Sequence, residues 1–384
     1  MNIGFDAKRI FWNTTGLGNY SRTLVSAMKD YFPDNNYYLF TPAVPGLFDS
    51  SGEDPVRVIT PIRMLHRMFR SLWRSKWVTG DIENTRLDIY HGLSNEIPFG
   101  IHRLPVKTVV TIHDLIFERY PHQYNPADVI IYRRKAQYAC RFADRVIAIS
   151  KQTRKDLIEF YHVPEEKIRV IYQACDNVFE ENIPAIRQYD IRLKYHLPDQ
   201  FLLYVGSVVE RKNLLTLIQS LELLPGNIPL VIVGSGHHYK NKVKAYLLDH
   251  DHVHPAIWLS EMRPLPQSDL AVIYKLARVL IYPSIFEGFG LPILEALKCG
   301  TPVITSVGSC FKETAGDAAI FIDPMDKNAL AQAIYKVWRN EHVTQIMRQK
   351  GFSYAHHFTP FISASQMIEI YSGLLSKDKV SGLV

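Results

Sequence analysis

Val279-Leu-Ile-Tyr-Pro-Ser-Ile-Phe-Glu287-Gly-Phe-Gly-Leu-Pro-Ile-Leu-Glu295-Ala-Leu-Lys-Cys-Gly300 reads as a strand, a glycine loop and a helix, in that order. Val279–Tyr282 is a short apolar run closed by Pro283-Ser284, as a buried parallel strand would be. Pro292 suits the first helical turn, where a missing N–H costs nothing, and Gly300 suits the stop. Gly288 and Gly290 bare the backbone amides just ahead of that helix. Bared amides at the positive end of a helix dipole make an anion site, here suited to a diphosphate. Glu287 stands in the loop and Glu295 about one turn into the helix, where both can accept hydrogen bonds from sugar hydroxyls. The alternative for Glu295 is a plain acidic residue complementing the helix N-terminus, worth ~0.3–1 kcal/mol.

The same alternation of short apolar runs and helical stretches extends along the chain, the habit of α/β proteins with parallel sheets. In the first half, strands are predicted near residues 1–6, 37–41, 88–91, 107–113, 145–149 and 168–171. Helices are predicted over 19–30, 126–142 and, capped by Ser150, 151–160. A second set of strands covers 201–205, 229–234, 256–259, 279–282, 302–305 and 319–322. With 384 residues the chain exceeds one ordinary core, and two doubly wound domains are expected. The predicted divisions are an N-terminal acceptor-side domain over 1–180, an irregular linker over 181–200 with Pro184 and Pro198 close by, and a nucleotide-binding domain over 201–350. The helical, aromatic segment 351–384 packs on either domain or crosses back to the first. Such sheets bind ligands at the carboxyl ends of their strands, so chemistry is expected in a cleft between the domains.

Composition narrows the class without choosing a partner. The chain is 47% hydrophobic and 21% charged, which is ordinary for a folded protein, and its net charge of +6 is modest for this length. Nucleic acid is not expected as a partner. The four cysteines, Cys140, Cys175, Cys299 and Cys310, form no CxxC pair, which argues against a metal site or disulfide framework. Neither a signal-peptide pattern nor an apolar run of roughly 18–20 residues is present, so a cytoplasmic location is expected.

Strand, Glu287-Gly-Phe-Gly-Leu-Pro and the second acid Glu295 together resemble the signature of family 4 retaining glycosyltransferases. The resemblance implies the GT-B fold, two Rossmann-like doubly wound domains facing each other across a cleft, and no metal or cofactor. It implies that Glu287 holds the transferred sugar, that Glu295 holds the ribose, and that the amides of Gly288, Phe289, Gly290 and Leu291 hold phosphate. Arg211-Lys212-Asn213, after the strand ending at Gly206, resembles the family's phosphate-contacting element. Two cations at a strand end are placed to neutralise a leaving diphosphate. Ser207 stands where some relatives carry another Arg, which loosens the assignment of Arg211, and a solvated charge pair is the alternative.

Gly16-Leu-Gly18-Asn19-Tyr20 is not GxGxxG, because Ser21 replaces the third glycine, so a nicotinamide cofactor is disfavoured. In the family this loop reaches toward donor phosphate or acceptor, which would give Gly18 and Asn19 those roles; a plain turn is the alternative. Thr111-Ile-His113-Asp114 ends an apolar strand, and the resemblance assigns His113 to the transferred sugar. Asp114 is an acceptor-side orienter or a structural cap, and Arg154 a contact to acceptor or phosphate. Ile3–Arg9 and Asp88–Pro98 resemble the mannosyltransferase branch that builds O-antigen and capsule, implying GDP-mannose as donor and a glycan or lipid-linked saccharide as acceptor. A GT-B-fold sugar-nucleotide epimerase and a non-catalytic nucleotide-sugar-binding scaffold are the competing readings.

Residues 57–77 carry Arg57, Arg63, Arg67, Arg70, Arg74 and Lys76 with no acid. Ile62, Leu65, Phe69 and Leu72-Trp73 recur at helical spacing opposite Arg63, Arg67, Arg70 and Arg74. That pattern suits a peripheral contact with an anionic membrane, at the inner face of the plasma membrane; a first-domain helix packed on its sheet is the alternative.

Overall fold

The computed structural model describes residues 1–45, 55–250, 254–259 and 265–381. The chain divides into two compact units, the first formed by Met1–Cys175 with Phe358–Val384 and the second by Asp176–His357.

The first unit holds β1 (Asn2–Asp6), β2 (Asn36–Phe40), β3 (Val56–Ile59), β4 (Ile89–Gly92), β5 (Lys107–Ile112), β6 (Arg145–Ala148) and β7 (Ile168–Val170). They form one parallel sheet in the order β3-β2-β1-β4-β5-β6-β7. The second unit holds β8 (Leu202–Val205), β9 (Leu230–Val233), β10 (Ala256–Trp258), β11 (Val279–Tyr282), β12 (Val303–Ser306) and β13 (Ala319–Ile322). Their order, β10-β9-β8-β11-β12-β13, runs through the same sequence of turns. Each sheet therefore reverses direction once, between β1 and β4 in the first unit and between β8 and β11 in the second. Those reversals are where doubly wound sheets open a crevice for ligands.

Every strand expected from the sequence is present, its ends moved by no more than one residue. Leu202–Val205, Leu230–Val233 and Val279–Tyr282 are buried along their whole length, so their apolar runs are unbroken. β3 escaped notice because Val56-Arg-Val-Ile59 lies at the sheet edge, where no residue is fully buried.

Two expectations about organisation need correction. The stretch 181–200 is not an irregular linker but contains the helix Ala185–Lys194 within the second unit. Pro184 occupies its N-cap and Pro198 lies past its end, so neither removes an internal hydrogen bond. Asp269 anchors it, accepting from Lys194 Nζ at 2.6 Å and Tyr195 Oη at 2.8 Å. Second, no break occurs at residue 350: the helix Glu341–Ala355 runs through it and stays with the second unit. The helix Pro360–Ser381 belongs to the first unit, one of the two placements left open above; the chain's last three residues lie outside the described ones. Its Ala364, Met367, Tyr371 and Leu374, spaced to line one face, join the core of Ile3, Phe5, Val25 and Met28. The Tyr371 hydroxyl lies 2.6 Å from His91 Nδ1, and His91 Nε2 lies 2.8 Å from Thr111 Oγ1.

Candidate active site

The second unit's reversal gathers the expected donor residues. The turn after β8 carries Glu210–Lys212 as one turn of 3-10 helix, and the turn after β11 carries Glu287. Glu287 Oε1 lies 2.7 Å from Arg211 Nη1 and 2.7 Å from Lys212 Nζ. Lys212 Nζ also donates to the Tyr282 hydroxyl at 2.5 Å and sits 4.5 Å from the centre of that ring. Arg211 donates in addition to the Phe286 carbonyl. Burial alone would raise the carboxyl of Glu287, but Arg211 and Lys212 outweigh it and hold the group down at about 2. Burial lowers the ammonium of Lys212, with Glu287 opposing. The result is an ionised carboxylate clamped between two cations.

The glycine loop is strapped from behind. Ser309 Oγ accepts from the Glu287 amide at 3.1 Å, and Thr314 Oγ1 donates to the Phe289 carbonyl at 2.5 Å. Gly290 caps the helix Leu291–Lys298 at φ 96°, a left-handed conformation that a side chain would strain. Pro292 lies in the first turn, as expected, and the Ile293 amide donates to the Gly290 carbonyl at 2.9 Å. Glu295 is buried one turn on and accepts from the Tyr274 hydroxyl at 2.8 Å. Burial lifts its carboxyl to about 7, the tyrosine opposing.

In the first unit, His113 is buried with every polar group engaged. Its Nε2 lies 2.8 Å from the Leu93 carbonyl and its Nδ1 2.9 Å from Gln173 Nε2. Its amide donates to Asn95 Oδ1 at 2.8 Å, and its carbonyl accepts from Thr153 Oγ1 at 3.2 Å. Burial lowers the ring to about 4, so it is neutral at physiological pH. That makes it a fixed wall against the edge of Tyr20, at 4.8 Å between ring centres, not a proton carrier.

Gly16–Asn19 is not a loop: the helix Gly16–Tyr31 starts there. Gly18 is required because a Cβ would come 1.8 Å from the Asn13 carbonyl oxygen, and its amide already donates to Thr15 O and Asn13 Oδ1. Asn19 accepts from Arg22 at 2.6 Å. Asp114 accepts from the Ile116 amide at 3.1 Å, a capping contact. Arg154 pairs with Glu165 on the surface, and nothing here brings it to the cavity beside His113.

Two family models match the chain: Glycosyl transferases group 1 over residues 190–356 and Glycosyltransferase Family 4 over residues 14–177. The chain is a glycosyltransferase, matching the family 4 model in its first half and the group 1 model in its second. The enzyme is 29% identical to O-antigen chain mannosyltransferase B of Escherichia coli, across 97% of this chain and 99% of that one. It superposes on sucrose-phosphate synthase of Thermosynechococcus elongatus with a TM-score of 0.76 at 21% identity, covering 98% of this chain and 100% of that one. For Anabaena HepE in complex with UDP-glucose the TM-score is 0.75 at 18% identity, over 97% and 100% of the two chains. These likenesses make the fold of the glycosyltransferase GT-B, built of two Rossmann-like domains.

Sequence reasoning missed the residues that tune this site. Tyr282, Tyr274, Ser309, Thr314 and Gln173 act through spatial neighbours, and no local pattern marks them. Tyr282 alone carried a signal, as the last residue of a strand entering the motif.

Proposed function

We propose that this glycosyltransferase moves a mannosyl unit from GDP-mannose to a glycan or lipid-linked glycan, with retention of configuration, in cell-surface polysaccharide synthesis. The observation that carries the reading is Glu287 ionised between Arg211 and Lys212 at the reversal of the second sheet. A donor diphosphate offers both cations new oxygen partners, and Glu287 is then released to accept hydroxyls of the transferred sugar. As the sugar–phosphate bond breaks, Lys212 and Arg211 neutralise the leaving group, which takes the proton of the incoming hydroxyl on the same face. The amides of the glycine loop from Gly288 to Leu291 complete the phosphate cradle, and Glu295 takes the ribose hydroxyls in place of Tyr274. No metal ion is assigned a part. Likeness to O-antigen chain mannosyltransferase B across nearly its whole length supports the sugar and the pathway. Incubation with a panel of GDP-, UDP- and dTDP-sugars and a mannoside acceptor tests it: GDP-mannose should yield an α-mannoside. An epimerised nucleotide sugar with no glycoside, or turnover with UDP-sugars alone, would overturn it.

The same reading places the acceptor at a membrane surface. Among the described residues no helix is long and apolar enough to cross a membrane. Residues 62–77 instead form a broken helix: Met64–Met68, a turn at Arg70–Leu72, and a π-turn at Trp73–Trp77. Ile62, Met64, Met68 and Phe69 are more than half exposed, beside Arg63, Arg67 and Arg70, which is an interfacial pattern. The expected face is corrected at its end. The π-turn shifts the phase, so Trp73 is buried and Arg74 turns inward to Asp6 and Glu96. Flotation with phosphatidylglycerol vesicles at low salt should capture the wild type and lose the Met68→Ser/Phe69→Ser variant; equal flotation would remove the membrane face.

A further inference from the structure

The first unit's reversal point also opens on a cavity, of about 400 Å³, and no role described so far accounts for its charges. The chain leaving β1 supplies Lys8 and Arg9, and the chain leaving β4 supplies Ser94 and Glu96, so the cavity lies at the position where doubly wound sheets take ligands. Arg74 and Lys135 reach the same space. These two are neutralised inside the protein: Arg74 pairs with Asp6 and with Glu96 at 2.5 Å, and Lys135 with Glu96 at 2.7 Å. Lys8 and Arg9 then face one remaining carboxylate, Asp114, whose Oδ1 accepts the Ile116 amide.

Two polar atoms at this place have no hydrogen-bond partner among the described residues although both are shielded from solvent: Arg9 Nε and Ser94 Oγ. A buried donor without an acceptor is costly, and orphaned groups that converge on a cavity mark what a ligand satisfies. Burial first, then Arg74 and Arg9, lowers the ammonium of Lys8 against the opposing pull of Glu96 and Asp6, so an anion there would relieve mutual repulsion. A neutral glycan offers hydroxyls to Ser94 but leaves the surplus positive charge unanswered.

We propose that this cavity is an anion subsite, in which Lys8, Arg9 and Ser94 hold the phosphate of a phosphorylated saccharide acceptor. The proposal rests on the transferase reading above and adds the chemical class of its acceptor. Guanidinium and hydroxyl donors suit phosphate oxygens, and Lys8 supplies a second charge. His113 lines the same cavity, so an acceptor anchored by its phosphate would lie against the wall that the family resemblance links to the transferred sugar.

Calorimetry with GDP at saturation tests this while keeping the donor's phosphate site filled. Mannobiose 1-phosphate should bind wild type at least about tenfold more tightly than methyl mannobioside, and Arg9→Gln and Lys8→Gln should erase that preference. Arg9→Lys should retain part of it, and GDP affinity should be the same in all four proteins. Equal binding of the two saccharides by wild type would overturn the proposal. So would an Arg9→Gln effect on GDP alone, which would assign the cation to the donor. Loss of phosphatidylglycerol vesicle binding with unchanged sugar-phosphate binding would assign it to a lipid surface and would equally overturn the proposal. If wild type fails to bind GDP-mannose, the transferase reading fails, and that titration does not involve Arg9.

Discussion

The two reversal points of this enzyme share one topology and differ in how their charges are settled. In the second unit, Arg211 and Lys212 share the single carboxylate of Glu287, each in an ion pair at 2.7 Å. In the first unit, Arg74 and Lys135 are matched by Asp6 and Glu96, while Arg9 Nε and Ser94 Oγ are left without a hydrogen-bond partner. A matched cluster is pre-organised and stabilises its unit, but a ligand must displace an internal partner to enter it. An unmatched one costs stability until a ligand arrives. Substitutions at the two points should therefore fail in different ways.

The largest effect is expected from Lys212→Ala. Removing the charge that meets the leaving diphosphate should lower kcat by about 10²–10³, measured at saturating GDP-mannose, with the fold intact by circular dichroism. A near-wild-type rate would detach Lys212 from the leaving group.

Glu287→Gln comes next, and its readout is stability. It leaves Arg211 and Lys212 buried without a counter-charge and should cost about 3 kcal/mol in the thermal transition of the second unit. The acid limb sharpens this test. Because the folded carboxyl is held near 2 against an ordinary 4.5, its contribution is full above 4.5 and is lost as pH falls toward 2. Glu287→Gln should flatten that part of the stability profile, and an unchanged acid limb would break the contrast between the two reversal points.

Glu295 is shifted in the opposite direction, and the sign reverses with it. Its folded carboxyl rises to about 7 from 4.5, so the stability it contributes is full below 4.5 and is lost as pH rises through 7. The charged form is also the better acceptor for ribose hydroxyls, so GDP should bind more tightly at pH 8 than at pH 5.5. Glu295→Gln should weaken GDP about tenfold at pH 8 and much less at pH 5.5. A pH-independent loss in calorimetry would place the ribose elsewhere.

How much of this was open to sequence reading follows from where the information lies. All the strands except β3 were legible, because parallel strands buried on two faces leave unbroken runs such as Leu230–Val233, while β3 lies partly exposed at an edge. The proposed donor site was legible because strand, glycines, Pro292 and both acids are contiguous. The helix Ala185–Lys194 was hidden by flanking prolines that lie outside its interior. The cavity proposed for the acceptor was hidden more deeply. Lys8, Arg74, Glu96 and Lys135 belong to four distant segments, and nothing local indicates that Arg74 turns inward at a π-turn. His113 was found by resemblance, but its partner Gln173 is sixty residues away and carries no pattern.

The smallest expected effect is the one that most sharply separates the two points. Arg9→Gln removes a charge that has no ion-pair partner among the described residues and an Nε–H that donates to nothing there, so the folded state gives up little. Its unfolding free energy should stay within about 0.5 kcal/mol of wild type, or rise slightly as repulsion with Lys8 is relieved. A loss above about 1 kcal/mol would mean that Arg9 is structural, and the cavity would then lose its claim to a waiting ligand. Measured beside Glu287→Gln, the same charge-for-amide exchange would unfold one unit more readily and leave the other untouched. That outcome would establish that similar sheets can hold their ligand sites in different states of ion pairing, closed on themselves for one substrate and open for the other.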